Sequence, residues 1–321
     1  MCNRQLVSAM LAAAITAGLF LSAAGPATAA ETPSSVATAG GEAYRTAVDR
    51  ATRFLETKGQ ATDGAYAGAT GIGVTAVVTT GILRNGRSPS DPLVARSLKY
   101  LEGHVQPDGG IYRPNTLYRN YETCLVMLCF SEANRDGRYD EVLKKADRFL
   151  KGLQWDETEG HDRTSESYGG AGYGKHERPD MSNTQFLIEA LVSVGNGPED
   201  EAIQKALVFI SRCQNLETEH NTTKFAPENP DGGFYYTCAA GGDSKAGETP
   251  GGGLRSYGSM TYAGLKSMIY AGVGPDDPRV KAAYEWIQKY YDLQSNPGMG
   301  DAGLYYYYHT FAKALDTIGS D

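Results

Sequence analysis

The stretch SLKYLEGHVQPDGGIY, from Ser97 to Tyr112, decides the fold, because the same phrase returns along the chain. It reads as the end of an amphipathic helix with an aromatic residue, followed by a glutamine and then by Asp-Gly before another aromatic residue. The other copies, two clear and two weaker, are ATRFLETKGQATDGAY (Ala51 to Tyr66), ALVFISRCQNLE with NPDGGFYY (Ala206 to Tyr236), ADRFLKGLQWDETEG (Ala146 to Gly160) and YEWIQKYYDLQ with GDAGLYYYY (Tyr284 to Tyr308). Such repetition is typical of folds that stack one supersecondary unit.

A second helix pattern follows each copy, and it is more apolar and nearly uncharged. The five segments of this kind align on one threonine each: Thr75, Thr123, Thr184, Thr261 and Thr310. A helix that is apolar on most sides must be buried, whereas a helix with a charged face borders water. About five such helix pairs, stacked with their apolar members inside, predict an all-α fold, an α/α toroid with an inner and an outer ring.

The beginning of the chain has the order of a secretory signal peptide. Residues 1–30 contain an early basic residue, an apolar run from Leu6 to Ala24 and small residues up to Ala30, where we predict cleavage. We therefore expect a secreted or periplasmic protein with a disordered lead-in over 31–43 and a single toroid domain over 44–321. No other stretch reaches the roughly 18 apolar residues of a membrane span, although peripheral contact with a membrane stays open.

Charge and cysteine content exclude further classes of partner. Without Arg4 of the leader, the 30 basic residues fall to 29 against 38 acidic ones, a net charge of −9. An acidic surface gains no counterion-release energy from nucleic acid, so we expect no such partner. The cysteine and histidine spacings match no metal motif, and we predict neither a metal nor another cofactor. Cys124 and Cys129 are predicted to be buried, whereas a disulfide between Cys213 and Cys238 stays open.

The repeat of helix, glutamine, Asp-Gly and aromatic residue resembles that of squalene and hopene cyclases and of protein prenyltransferase β subunits. The resemblance extends from about Glu42 to Ile318. It implies an α/α toroid with a deep apolar cavity and an isoprenoid-type or other apolar small molecule as ligand. If the chain is an enzyme, the resemblance implies cyclase-like or prenyltransferase-like chemistry.

The catalytic acid motif of the cyclases is matched only in part. Hopene-type cyclases protonate an alkene with the middle aspartate of Asp-x-Asp-Asp-Thr, and Asp180 and Thr184 correspond to the two ends of that motif. Ser182 stands in place of the proton donor and Asn183 in place of its neighbour. Neither a hydroxyl nor an amide replaces a carboxylic acid in this step. Asp180 also has the position of a helix N-cap, which is the favoured interpretation.

The zinc site of the prenyltransferases is incomplete as well. Its histidine, in a Tyr-His-Thr context, is matched by His309, but the segment from Arg255 to Leu265 offers neither aspartate nor cysteine. A catalytic zinc ion needs three protein ligands and an open position. We therefore predict no zinc site.

The aligned threonines predict which side chains meet at one end of the ring. Equivalent turns of parallel inner helices lie at one height, so Glu122, Asn183 and His309 would form a polar cluster, with tyrosines as an aromatic wall. We predict catalytic roles for Glu122, Asp180 and His309. We predict ligand contacts, typical of a pocket with one polar end, for Tyr121, Ser182, Asn183, Arg255, Tyr257, Tyr262 and Tyr308. Buried tyrosines and a satisfied interior histidine are the structural alternative.

Two further hypotheses stay open. A carbohydrate-active toroid would use Tyr308, His309, Asn183 and Arg255 for β-elimination, or two facing carboxylates for glycoside hydrolysis. A non-catalytic scaffold that binds another protein would have an interior filled by its own side chains. The two long connections, Asp156 to Pro179 and Asn215 to Leu254, are predicted to form rims or lids.

Overall fold

The computed structural model describes residues 35–174 and 177–319, so the predicted signal peptide lies outside the described residues. Over these ranges the regular structure is helical, with no strand. The ten α-helices are α1 Ser35–Phe54, α2 Gly73–Arg84, α3 Pro92–Glu102, α4 Arg119–Ala133, α5 Asp140–Lys151, α6 Met181–Ser193, α7 Glu201–Arg212, α8 Gly258–Tyr270, α9 Pro278–Tyr290 and α10 Leu304–Ile318. Within the described part of the chain, no helix is long and apolar enough to cross a membrane.

The even-numbered helices form the inner layer and the odd-numbered helices the outer one. Neighbouring inner helices pack in chain order, α2 on α4, α4 on α6, α6 on α8 and α8 on α10. The outer helices α3, α5, α7 and α9 pack on the inner helices that precede them. The inner helices carry most of the buried residues, and α8 is buried from Gly258 to Met268. The predicted arrangement of about five helix pairs is therefore confirmed.

The first helix starts earlier than the sequence indicates. We predict a disordered lead-in over residues 31–43, but α1 is already helical from Ser35. Alanine, which is frequent in this segment, is the strongest helix former, and a composition of small polar residues alone does not reflect that preference. The helix continues through one π-helical turn over Leu55–Gly59 before the first Asp-Gly turn.

The aligned threonines fasten each turn of the repeat to its inner helix. Four of them accept a buried backbone N–H from the turn before the helix: Tyr66 to Thr75 at 2.9 Å, Ile111 to Thr123 at 3.0 Å, Ala171 to Thr184 at 3.0 Å and Phe234 to Thr261 at 3.1 Å. A buried N–H group without a partner is costly, so the hydroxyl is a structural requirement. Thr310 differs, because its hydroxyl bonds to carbonyls within α10 itself.

In three copies the glutamine of the phrase joins its turn to the next outer helix, through Gln60, Gln154 and Gln214. The Gln154 amide donates to the carbonyls of Gly169, at 2.8 Å, and of Ala202 in α7, at 2.9 Å. Gly169 has a positive φ of 80°, and a Cβ atom there would lie 1.8 Å from the Lys205 carbonyl oxygen. Only glycine allows this close approach. In this copy Gly169 follows Tyr168 rather than an aspartate, after an insertion.

The two long connections are folded against the helices. In the first, the Asp156 carboxylate lies 3.0 Å from the Lys205 ammonium group of α7, and the later part brings Tyr173 to the start of α4. In the second, the Asn215 amide donates to the Leu254 carbonyl at 2.7 Å and so joins the two ends of the loop. Both connections therefore bring side chains to the end of the inner layer where α4, α6 and α8 begin.

Candidate functional site

Asp180 is the buried carboxyl group at the start of α6. One of its oxygens accepts the backbone N–H of Asn183 at 2.9 Å, and the other accepts the Asn183 side-chain amide at 2.8 Å. The side chain therefore forms the N-cap of α6 that its position in the sequence indicates. Burial raises the pKa of the Asp180 carboxyl, although these hydrogen bonds and one from Tyr236 oppose the rise. The carboxyl is thus a weaker acid than a free aspartic acid.

Five tyrosines surround this end of the inner layer, and we call them the tyrosine cluster: Tyr121, Tyr173, Tyr236, Tyr257 and Tyr306. The Tyr236 hydroxyl is hydrogen-bonded to Asp180, and the Tyr306 hydroxyl to Ser182. Burial is the main cause that raises the pKa of all five hydroxyl groups, so they are protonated at neutral pH. The cluster therefore offers aromatic faces together with hydroxyl groups that can donate hydrogen bonds.

Phe186 occupies the interior just below the tyrosine cluster. Its ring centroid lies 5.8 Å from that of Tyr121 on α4, 6.1 Å from Tyr306 and 5.9 Å from His309, both on α10. These contacts join three inner helices through one side chain. At this height the interior is occupied by aromatic side chains of the protein itself.

His309 is a neutral interior histidine. Burial lowers the pKa of its imidazole to about 4, and three nearby cations act in the same direction against the influence of Glu189. Its Nε2 atom is buried and has no hydrogen-bond partner. Among the described residues, no three histidine, cysteine or acidic side chains are placed to hold a metal ion.

A charged floor, formed by Gln185, Glu189, Lys266 and Lys313, lies beyond Phe186. The Lys266 ammonium group has no exposed surface and lies 2.7 Å from a Glu189 oxygen and 2.7 Å from the Gln185 amide oxygen. Lys313 approaches the other Glu189 oxygen to 3.4 Å. Burial would raise the pKa of Glu189, but the two lysines outweigh it and lower the value to about 2. Burial lowers the pKa of Lys266, because the Glu189 carboxylate offsets only part of the cost of burying the ammonium charge.

The charged floor is not among the sites predicted from the sequence, although the sequence contains a signal for it. Glu189 and Lys266 each stand five residues after the aligned threonines Thr184 and Thr261. Equal spacing from equivalent threonines places both charges at one height of adjacent inner helices. A charge at that position in two otherwise apolar helices predicts an ion pair.

The Glu122 carboxylate is bonded to groups of the protein itself. It accepts the backbone N–H of Arg113 at 2.9 Å and that of Ile72 at 3.4 Å. The Arg113 guanidinium group lies 3.7 Å from the same carboxylate. Glu122 therefore ties together two loops that precede α2 and α4, and its oxygens are engaged by protein atoms.

Three of the predicted ligand-binding residues do not join Asp180. Arg255 lies in the loop before α8, where its side chain is exposed and its guanidinium group donates to the Glu248 carbonyl. The Tyr308 hydroxyl donates to the Leu293 carbonyl at 2.8 Å. Tyr262 packs against Tyr307 and Phe311 as a core residue.

Arg255, Tyr308 and Tyr262 therefore bond or pack elsewhere, and their roles in ligand binding stay predictions. On α10, His309 faces α6 together with Tyr306 and Lys313. Tyr308, which the threonine alignment also selects, bonds to the Leu293 carbonyl instead. Ser182, Asn183 and Tyr257 do lie around Asp180, and Tyr121 lies against Tyr173 and Phe186.

The comparisons with known proteins agree with this architecture. A family model described as the squalene-hopene cyclase C-terminal domain matches residues 48–238, more than half of the chain. A search of curated proteins found no significant match. The matched range includes four Asp-Gly or Gly-Gly turns and the helices from α2 to α7. The chain therefore belongs to the squalene-hopene cyclase C-terminal domain family, and its fold is an α/α toroid.

Proposed function

We propose that this protein binds an isoprenoid-type apolar ligand at the tyrosine-lined end of its toroid, outside the cytoplasm, and does not perform the acid step of a hopene cyclase. One observation supports the proposal above all: a set of large apolar side chains at this end is exposed to solvent. We call this set the exposed patch; its members are Val74, Val77, Leu117, Tyr118 and Tyr173. Exposed apolar residues that form one patch are typical of a binding site, whereas single ones are ordinary.

The exposed patch is continuous with the interior. The Tyr118 ring packs edge-on against Tyr173 at 5.3 Å, and Tyr173 lies 6.1 Å from Tyr121. The Tyr121 ring in turn lies against Gly73, next to Val74 on α2. An apolar chain could therefore lie on the patch and reach Phe186 without leaving aromatic surface, while its polar end bonds to tyrosine hydroxyl groups.

The chemistry of Asp180 favours binding over cyclisation. Both carboxylate oxygens are engaged by Asn183, and burial raises the pKa of the group. Protonation of an alkene needs an acid stronger than an ordinary carboxyl group, and Ser182 stands at the donor position. The proposal therefore assigns Asp180 to capping and to the orientation of Tyr236.

The test is uptake of squalene and of a polyprenol by the purified mature protein, measured by native mass spectrometry and by quenching of tyrosine fluorescence. We expect saturable uptake by the wild type and at least tenfold weaker binding by Val77→Asp and Tyr118→Ser. Tyr290→Ser is the matched control, since Tyr290 is similarly exposed but lies at the end of outer helix α9. Absence of uptake by the wild type, or equal losses in control and patch variants, would refute the proposal.

A second candidate is a non-catalytic scaffold that binds another exported protein. It is favoured by the packing of Phe186 against Tyr306 and His309, which fills part of the interior. In that case the exposed patch would bind protein, and wild-type protein would take up neither squalene nor polyprenol. The β-elimination form of the carbohydrate hypothesis loses support, because the Arg255 and Tyr308 groups that it needs are engaged elsewhere.

A further inference from the structure

Two buried cysteines from different segments lie side by side. Cys213 follows the last residue of α7, and Cys238 lies in the segment after the fourth turn of the repeat. The backbones are paired at this place, because the Tyr235 N–H donates to the Cys213 carbonyl at 3.1 Å and Gln214 forms a bridge with Phe234. Both cysteines are free thiols in this structure and are fully buried.

The thiol groups themselves are in contact. The Cys213 thiol interacts with the Cys238 side chain, and the Cys238 thiol donates to the Glu166 carbonyl at 3.4 Å. The other two cysteines differ: Cys124 and Cys129 lie on one helix, and the Cys124 thiol donates to Asn120 at 3.5 Å. The geometry therefore distinguishes one pair of thiols from the other two.

We propose that Cys213 and Cys238 form an intrachain disulfide when the chain folds in an oxidising compartment, which its predicted leader implies. The oxidant is an external disulfide. One thiolate attacks it, forms a mixed disulfide and releases one reduced thiol. The second thiolate then attacks the protein sulfur of the mixed disulfide and releases the second reduced thiol. The two protein thiols lose two electrons and two protons, and the external disulfide gains them.

The environment dictates when this exchange occurs. Burial raises the pKa of the Cys213 thiol well above its ordinary range, which suppresses the reactive thiolate in the folded protein. Exchange therefore takes place while the chain folds, and the buried bond resists later reduction.

The disulfide would fix the segment that holds Asp180 in place. In that segment the Tyr236 carbonyl accepts the Met181 N–H at 2.8 Å, and the Thr237 hydroxyl donates to the Pro179 carbonyl at 2.8 Å. Both contacts are with the beginning of α6. A covalent bond from Cys238 to the end of α7 would hold this segment, and with it Tyr236, against the capped helix.

The experiment is refolding of the mature chain in a mixture of oxidised and reduced glutathione, followed by denaturation and alkylation of the remaining thiols. We expect two of the four thiols to resist alkylation and a peptide map that joins Cys213 to Cys238. We also expect protein refolded under reducing conditions to have a Tm about 5–10 °C below that of protein refolded in the glutathione mixture, for the wild type and for Cys124→Ala but not for Cys213→Ala.

Four alkylated thiols after refolding, or a map that joins Cys124 or Cys129 to another cysteine, would overturn the proposal. The peptide map uses wild-type protein, so the test does not depend on whether Cys213→Ala folds. A wild-type Tm that is the same after both refolding conditions would show that the bond, if formed, does not hold the segment.

Discussion

Replacement of Glu189 by glutamine tests the charged floor of the ring. Surrounding lysines lower the pKa of Glu189 from 4.5 to about 2 despite its burial, so the folded protein favours the charged carboxylate. The variant leaves Lys266 buried without its carboxylate, and breaking a buried ion pair costs about 3–5 kcal/mol. We therefore expect the free energy of unfolding at pH 7 to fall by about 3–5 kcal/mol.

The pH dependence follows from the sign of the change in pKa. Because the pKa of Glu189 is lower in the folded protein, its contribution to stability is fully present above pH 4.5 and is lost as the pH falls through about 2. A protonated Glu189 resembles glutamine. The difference between wild type and Glu189→Gln should therefore shrink as the pH falls from 4.5 towards 2.

Urea unfolding at pH 7 and at several values below pH 4.5 measures both effects. Glu132→Gln is the control, since Glu132 pairs with Arg84 at 2.9 Å but both side chains are about one-third exposed. The free energy of unfolding of Glu132→Gln should be lower than that of the wild type by less than about 1 kcal/mol. The double variant Glu189→Gln, Lys266→Met should recover much of the loss, because no unpaired Lys266 charge remains buried. Equal stability of the two single variants, or a Glu189→Gln loss that persists at pH 2, would refute the reasoning.

Three further predictions concern the repeat and the cap. Thr123→Val leaves a buried N–H group without a partner and should cost about 1–3 kcal/mol in urea unfolding. Gly169→Ala should be far more destabilising than Gly195→Ala. Both glycines have a positive φ, but only Gly169 lies against a carbonyl oxygen. Thermal unfolding of the two variants therefore separates the steric clash from the backbone strain. Asp180→Asn should match or exceed wild-type stability at pH 7, because asparagine also caps helices. In addition, the pKa of Asp180 is raised in the folded protein, so ionisation of this carboxyl above pH 3.8 lowers the stability of the wild type. Urea unfolding at pH 7 checks this, and a loss above about 1 kcal/mol would show that the charged form is required.

The fold could be predicted from the sequence because its signals are local. The order of helix, glutamine, Asp-Gly and threonine appears in every clear copy, and each part has a short-range task in the structure. Thr184 accepts the N–H of Ala171, and Gln154 joins its own turn to the next helix. The cap at Asp180 is equally local, since it depends on a residue three positions later.

The candidate site depends on features that are not local. Whether Tyr306 or Tyr308 faces α6 is decided by the rotation of α10, and the fifth threonine does not bond to the preceding turn as the other four do. Tyr173 reaches the tyrosine cluster only because a long connection folds back onto α4. The periodicity of the sequence predicts neither the rotation of α10 nor the path of this connection.

The two ends of the interior together limit what the ring can hold. Seven residues of α6 separate Ser182, which contacts the tyrosine cluster through Tyr306, from Glu189 in the charged floor, a distance of about 10 Å along a helix. An apolar chain that passed the floor would have to displace a buried ion pair, which is costly. A ligand longer than this depth must therefore leave part of its chain on the exposed patch. Shortening the isoprenoid should consequently weaken the effect of Val77→Asp and leave the contribution of Tyr306→Ala unchanged, and equal sensitivity at both positions would show that the ligand lies elsewhere.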